Sequence, residues 1–151
     1  MTGTAHVFEY AVLRVVPRVE RGESINAGVL VWCKQLGYLG ARAHLDRERL
    51  LALDAGADVE AVEQALRAVC DVLPGPGPDA GSAAIDEAGR TFRWLTAPRS
   101  TVVQPGPVHT GLTSDPDAEA DRLFRLLVLP LDGPGGGPDE ALPDEALPDG
   151  A

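Results

Sequence analysis

The sequence contains little cysteine, little lysine and few aromatic residues. Its 2 cysteines, Cys33 and Cys70, are too few for a disulfide framework and fit a reducing compartment. Lys34 is the single lysine, so arginine carries almost all of the positive charge. Nucleic-acid-binding surfaces combine a basic excess with interleaved aromatic side chains. With 23 acidic residues against 13 basic ones and 5% aromatic residues, the composition argues against nucleic acid as a partner.

Signals for export or membrane insertion are also missing from the sequence. The stretch MTGTAHVFEY has no basic start followed by an apolar segment, which a secretory signal requires. No apolar run approaches the roughly 20 residues that cross a bilayer. We therefore expect a cytoplasmic protein that does not bind membranes.

The acidic residues are unevenly distributed along the chain. Without the 6 that follow residue 131, the 23 acidic residues fall to 17 against 13 basic ones, which leaves the first 131 residues a charge of −4. The segment 132–151 repeats DEALP and has too little apolar surface to offset the entropy of ordering. We predict one domain over residues 5–131, containing a flexible Pro/Gly connector at 74–82, and a disordered acidic tail at 132–151. The acidic residues of this tail are Asp132, Asp139, Glu140, Asp144, Glu145 and Asp149.

The first third of the chain has the pattern of β-strands. Residues Phe8–Pro17 are rich in β-branched and aromatic side chains and are apolar on both faces, which predicts a central strand. Arg14 would then lie on a covered face and need a partner. A second strand over 25–33 and a third over 38–45 would complete an antiparallel meander. The prediction is an α+β domain whose antiparallel sheet is covered on one face by helices.

Helical spacing of apolar residues begins after the third strand. Asp46 can cap a short helix in which Leu50, Leu51 and Leu53 share a side, and Asp58 can begin a longer one. Residues 83–97 are ambiguous between helix and strand. Two short strands are expected near 100–104 and 108–112, and Asp115 with Pro116 can begin a last helix. In the second helix the spacing predicts that Val62, Leu66 and Val69 face the core.

Two blocks of polar residues, RGESIN at 21–26 and PRSTVVQPGPVH at 98–109, are the candidate functional segments. The first can be a shaped turn, with Gly22 in the left-handed region and its polar side chains bonding to nearby backbone. Alternatively, the two blocks meet at one end of the sheet, where Glu23 pairs with Arg99 or Arg14 and the arginines hold a carboxylate or phosphate. The candidate ligand- or partner-binding residues are Arg14, Arg18, Glu23, Asn26, Arg99, Ser100 and His109.

Signatures of catalysis and of metal or cofactor binding are weak. Ser100 and His109 could formally belong to a hydrolytic set, yet no G-x-S-x-G elbow surrounds the serine. The three histidines are isolated in sequence, and no glycine-rich loop is followed by Lys and Ser or Thr. We therefore expect neither a metal nor a cofactor, and the sequence favours a non-enzymatic role.

Most of the chain resembles the bacterial family of unknown function DUF3037. The resemblance is carried by YAVLRVVP at 10–17, RGESINAGVLV at 21–31, FRWLTAPRSTVVQPGPVHTGL at 92–112 and DRLFRLLV at 121–128. Ala27 stands where the family usually has valine. The family implies a small α+β domain without an assigned reaction, and its members are often encoded beside kinases that resemble the HipA toxin. A HipA-like kinase, or another protein, is therefore a candidate partner.

Two classes of function remain open at this point. The first is a protein-binding or accessory module, which a flat sheet face with exposed Val or Leu would favour. The second is a small enzyme or a nucleotide- or phosphate-binding module that uses both polar blocks. A pocket in which Arg14, Glu23, Arg99 and His109 converge would favour this second class.

Overall fold

Five antiparallel strands form one sheet, and the predicted meander supplies three of them. The computed structural model describes residues 3–71 and 75–131, so the predicted tail at 132–151 lies outside the described residues. Four helices accompany the sheet, which confirms the predicted α+β class. The strands are β1 (His6–Val15), β2 (Ile25–Cys33), β3 (Tyr38–Ala43), β4 (Val103–Pro105) and β5 (His109–Thr113).

Strand β1 is central, as its apolar faces predict. One of its edges pairs with β2, which in turn pairs with β3. Its other edge pairs with two strands placed end to end: β4 lies opposite Leu13–Val15, and β5 lies opposite His6–Tyr10. Strands β4 and β5 therefore form the outer edge of the sheet on this side.

The helices begin and end near the sequence signals for them. The Asp46 side chain accepts a hydrogen bond from the Arg49 backbone N–H, and that of Asp115 accepts one from Ala118, so both residues cap helices as predicted. The ambiguous segment at 83–97 forms a helix. The helices are α1 (Arg47–Leu53), α2 (Val59–Asp71), α3 (Ser82–Leu95) and α4 (Pro116–Leu127).

Helices cover both faces of the sheet, so the prediction of a single covered face is wrong. Successive side chains of a strand point to opposite faces. In β2, Val29 packs in a cluster with Leu123 of α4, whereas Leu30 packs in another cluster with Phe92 of α3. Helix α4 thus lies on one face, and α1, α2 and α3 lie on the other. Local periodicity shows which side of a helix is apolar but not which face of a sheet it covers.

The helix sides are predicted well for α2 and less well for α1. Val62 and Leu66 of α2 are buried, and Val69 is half-buried against the core, as their spacing predicts. In α1, Leu50 is fully buried, but Leu51 is exposed, so its predicted inward position is wrong. A helix of two turns can bury only the part of its leucine side that faces the sheet.

A bulge in β2 changes which face its side chains occupy. Leu13 of β1 lies opposite Gly28, and the next residue, Arg14, lies opposite Asn26, so Ala27 is an extra residue in β2. As a result, Ala27 packs with the α1 and α2 cluster while Val29 packs against α4. The bulge places Asn26 on the α4 face.

The described part of the predicted connector contacts the third strand. The Gly75 N–H donates to the Leu39 carbonyl at 2.9 Å, and the Gly77 N–H donates to the Gly37 carbonyl at 2.9 Å. These two bonds satisfy backbone groups at the outer edge of β3. The chain between α2 and α3 therefore covers part of that edge.

Candidate functional site

Both polar blocks reach the same end of the sheet, with β1 between them. Arg14 of β1 lies opposite Asn26 on one side and opposite Gln104 on the other. Directly opposite residues of antiparallel strands point to the same face, so these three side chains form a row on the α4 face. The expectation that the blocks come together at one end holds for their backbones.

The predicted ion pair between Glu23 and Arg99 is not formed. Glu23 binds Arg21, with the guanidinium Nε 2.7 Å from the carboxylate, and both side chains are largely exposed. The hydrogen bond from Arg21 holds the pKa of Glu23 below its usual value. The Arg99 guanidinium lies 5.0 Å from the centre of the Trp94 ring and donates to the Trp94 carbonyl. Each partner is found close by in sequence, as the simpler alternative of shaped turns requires.

The other residues of the first candidate group have separate environments. Arg14 is exposed rather than covered, because α4 packs over β2 and β3, and its guanidinium lies against Gly106. Arg18 lies 3.6 Å from Asp54, which joins the turn after β1 to the end of α1. Asn26 donates to the Leu127 carbonyl at 3.0 Å and so satisfies a carbonyl in the last turn of α4.

Ser100 and His109 lie far apart along the sheet edge. His109 is opposite Tyr10, and their rings are 5.2 Å apart. Ser100 is exposed and precedes Val102, whose carbonyl accepts a hydrogen bond from Val16. Tyr10 and Val16 are six residues apart in one extended segment, a separation of about 20 Å at roughly 3.3 Å per residue. This placement offers no support for a hydrolytic pair.

One polar cluster was not predicted from the sequence. Arg42 of β3 binds Asp117 and Asp121 of α4, each at 2.8 Å, and Tyr38 donates to Asp117 at 3.0 Å. Burial, with the nearby carboxylate, raises the pKa of Tyr38 to about 12. The hydrogen bonds from Arg42 and then Tyr38 hold the pKa of Asp117 below its usual value. Every member has a partner within the cluster, so its arrangement fits a structural clamp between α4 and β3.

The outer edge carries a pair of exposed apolar side chains that were also not predicted. Leu112 of β5 is 68% exposed and lies opposite Val7 of β1, which is 57% exposed. Beside them, Arg93 of α3 forms two hydrogen bonds to Glu9, at 2.7 and 2.8 Å. Strand alternation across β5 would have found Leu112 if its strand had been recognised as an edge.

The backbone of β5 also presents polar groups outward. Gly106 N–H donates to the Val12 carbonyl and Val16 N–H donates to the Val102 carbonyl, so even-numbered residues of β1 face this edge. Their partners on β5 direct N–H and C=O groups inward, and the alternate residues direct theirs outward. Thr110 and Leu112 are those alternate residues. Within the part of the chain that the structure describes, β5 pairs with β1 alone.

Proline protects only the other half of the outer edge. Pro105 lies in β4 and Pro107 follows it, and proline cannot donate to an added strand. Strand β5 contains no proline. Within it, Gly111 is required by packing, because a Cβ there would lie 2.7 Å from the Phe8 ring. The edge is thus blocked along β4 and open along β5.

Two cavities flank the residues that follow α4. The larger, of about 860 Å³, lies between β3, α1 and α2 and is lined by residues that include His44, Arg67 and Pro130. The smaller, of about 330 Å³, is lined by residues that include Arg49 and Leu131. In residues 3–71 and 75–131, no three His, Cys, Asp or Glu side chains form a group that could hold a metal ion. None of the helices described is long and apolar enough to span a membrane.

Comparison with known families gives one match. Residues 10–128 match the model of the family described as "Protein of unknown function (DUF3037)". Neither the curated proteins nor the solved structures contain a match to the chain. The matched range includes both polar blocks, the open edge strand and α4.

Proposed function

The chain belongs to the DUF3037 family, and we propose that it is a protein-binding module that accepts an extended segment of its partner along β5. The observation that carries this proposal is the exposed Leu112 and Val7 pair on an edge strand with outward-facing backbone groups. Extended peptides bind such edges through main-chain hydrogen bonds, and alternate side chains give specificity.

The geometry of the edge defines the chemistry of the partner segment. Its backbone would bond to Thr110 and Leu112, and its alternate residues would lie beside Leu112 on one face and His109 on the other. Apolar side chains on the first face would remove Leu112 and Val7 from water. The segment therefore alternates apolar and polar residues and contains no proline at the positions that bond to β5.

A HipA-like kinase is the first candidate for this partner. The family resemblance supports it, because members are often encoded beside such kinases. The competing function, an enzyme or phosphate-binding module, receives less support from the geometry. Glu23 and Arg99 each have a local partner, and His109 lies along β1 at a distance from Arg14.

Peptide selection tests this function while the natural partner is still unidentified. Random peptides displayed on phage are selected on the folded chain, and the affinity of the enriched peptides is measured by fluorescence anisotropy. We expect alternating apolar sequences whose affinity falls at least about tenfold with Leu112→Asp, which places a charge in the apolar contact.

The matched control is Leu131→Asp, because Leu131 is a leucine that is 87% exposed outside the sheet. It should leave peptide affinity unchanged. Enriched peptides that bind wild type and Leu112→Asp equally would overturn the assignment of β5 as the binding edge. The neighbouring kinase, once purified, enters the same comparison.

A further inference from the structure

We propose that the acidic segment 132–151 of this chain covers an arginine surface at the end of α4, formed by Arg49 and Arg67. This contact lies apart from β5 and does not depend on the proposed partner binding. It would be electrostatic and exchanging, so it requires no fixed conformation of the segment.

The position where the chain leaves α4 supports this contact. Leu131 lines the 330 Å³ cavity together with Arg49, and Pro130 lines the 860 Å³ cavity together with Arg67. Residue 132 therefore begins beside both arginines. A segment that follows directly can reach them without crossing the molecule.

The arginines of this surface differ in how they are paired. Arg47 between them binds Glu63 through two hydrogen bonds, at 2.8 and 3.1 Å. Arg49 and Arg67 are exposed and form no ion pair with any carboxylate of residues 3–71 or 75–131. Glu48 also lines the larger cavity and offsets part of their charge. Two guanidinium groups thus remain for a carboxylate from another segment.

The charge and length of the segment match this surface. Residues 132–151 contain six carboxylates and no lysine or arginine. A flexible chain spans about 5–6 Å times the square root of its residue number, so the first DEALP repeat lies within about 17 Å of Leu131. Tethering at this range gives an effective concentration in the millimolar range, which populates weak contacts. The repeats also carry Leu142 and Leu147, which could contact the apolar floor that Leu45 and Leu66 provide.

The test compares the full chain with a full-length variant in which the six carboxylates become amides. The variant carries D132N, D139N, E140Q, D144N, E145Q and D149N. In ¹⁵N NMR spectra we expect the side-chain Nε–Hε signals of Arg49 and Arg67 to differ between the two proteins. Those of Arg90 and Arg93 on α3, which bind Glu87 and Glu9, should coincide. Salt at about 0.5 M should remove most of the difference, because it screens exposed charges.

A synthetic peptide with the sequence PDEALPDEALPDG provides the second arm. Added to the amide variant, it should move the Arg49 and Arg67 signals toward their wild-type positions. It should act more weakly on wild type, whose own segment competes. Identical Arg49 and Arg67 signals in both proteins, or equal changes at all four arginines, would overturn the proposal.

Discussion

The two outer edges of the sheet are finished in different ways. Along β3, Gly75 and Gly77 bond to the strand backbone, and Arg42 fastens α4 through two ion pairs. Along β5, the described residues provide no further strand, and Leu112 stands exposed. Native proteins usually cover or block their edges, because open edges pair with other chains. An edge left open beside one that is closed twice over indicates a place for a partner.

The largest expected effect separates a leucine on the closed side from one on the open side. Leu123 of α4 is buried with Val29 and Val31 of β2, so Leu123→Ala should cost about 2–5 kcal/mol of unfolding free energy. Leu112→Ala should change it by no more than about 0.5 kcal/mol, because the side chain is already in water. Urea unfolding measures both. Similar losses for the two variants would remove the distinction between the edges.

A smaller loss is expected where the connector closes the β3 edge. Gly37 has φ +58°, and a Cβ there would lie 2.1 Å from the Gly77 carbonyl oxygen. Gly37→Ala should therefore cost about 1–3 kcal/mol and displace the connector.

Gly22→Ala is the matched control for that variant. Gly22 has φ +72°, but nothing lies within 4 Å of a Cβ placed there. It should show the conformational strain alone and lose less stability than Gly37→Ala. Equal losses in thermal or urea unfolding would mean that the connector contact adds nothing to the closure of this edge.

The clamp between α4 and β3 should contribute less, and in a pH-dependent way. Arg42→Gln removes both ion pairs and should cost about 1 kcal/mol near neutral pH, since the partners are more than half exposed. Because the folded-state pKa of Asp117 is lowered, its stabilisation is present above the ordinary carboxyl pKa and is lost as pH falls through the folded value.

Urea unfolding followed from about pH 6 to about pH 3 measures this dependence. The loss of stability across that range should be smaller in Arg42→Gln than in wild type. Arg90→Gln, which removes an exposed pair within α3, serves as the control and should keep the wild-type dependence. Parallel curves for wild type and Arg42→Gln would show that the clamp is not what lowers the pKa of Asp117.

Features that depend on neighbouring residues could be predicted from the sequence. The bounds of β2 at Ile25 and Cys33 match, and Asp46 and Asp115 cap their helices, because strand propensity and capping act over a few residues. The α2 core positions follow from the helical repeat alone. The family was also recognised from the order of its segments.

Features that depend on distant parts of the chain could not be predicted in the same way. The exposure of Arg14 follows from where α4 packs, and the row of Arg14 with Asn26 follows from the bulge at Ala27. The Glu23 and Arg99 pairing failed because each side chain found a closer partner. Clusters joined across about 75 residues, such as Arg42 with Asp117, leave no local pattern in the sequence.

Amide hydrogen exchange along β5 tests the central claim most directly. Without a ligand, the backbone N–H groups of Thr110 and Leu112 should exchange quickly, because they point outward from the sheet. With a saturating selected peptide, or with the kinase if it binds, their exchange should slow by about tenfold or more while that of β3 stays unchanged. Slowed exchange elsewhere, with Thr110 and Leu112 unaffected, would contradict the account and place the binding surface away from the open edge.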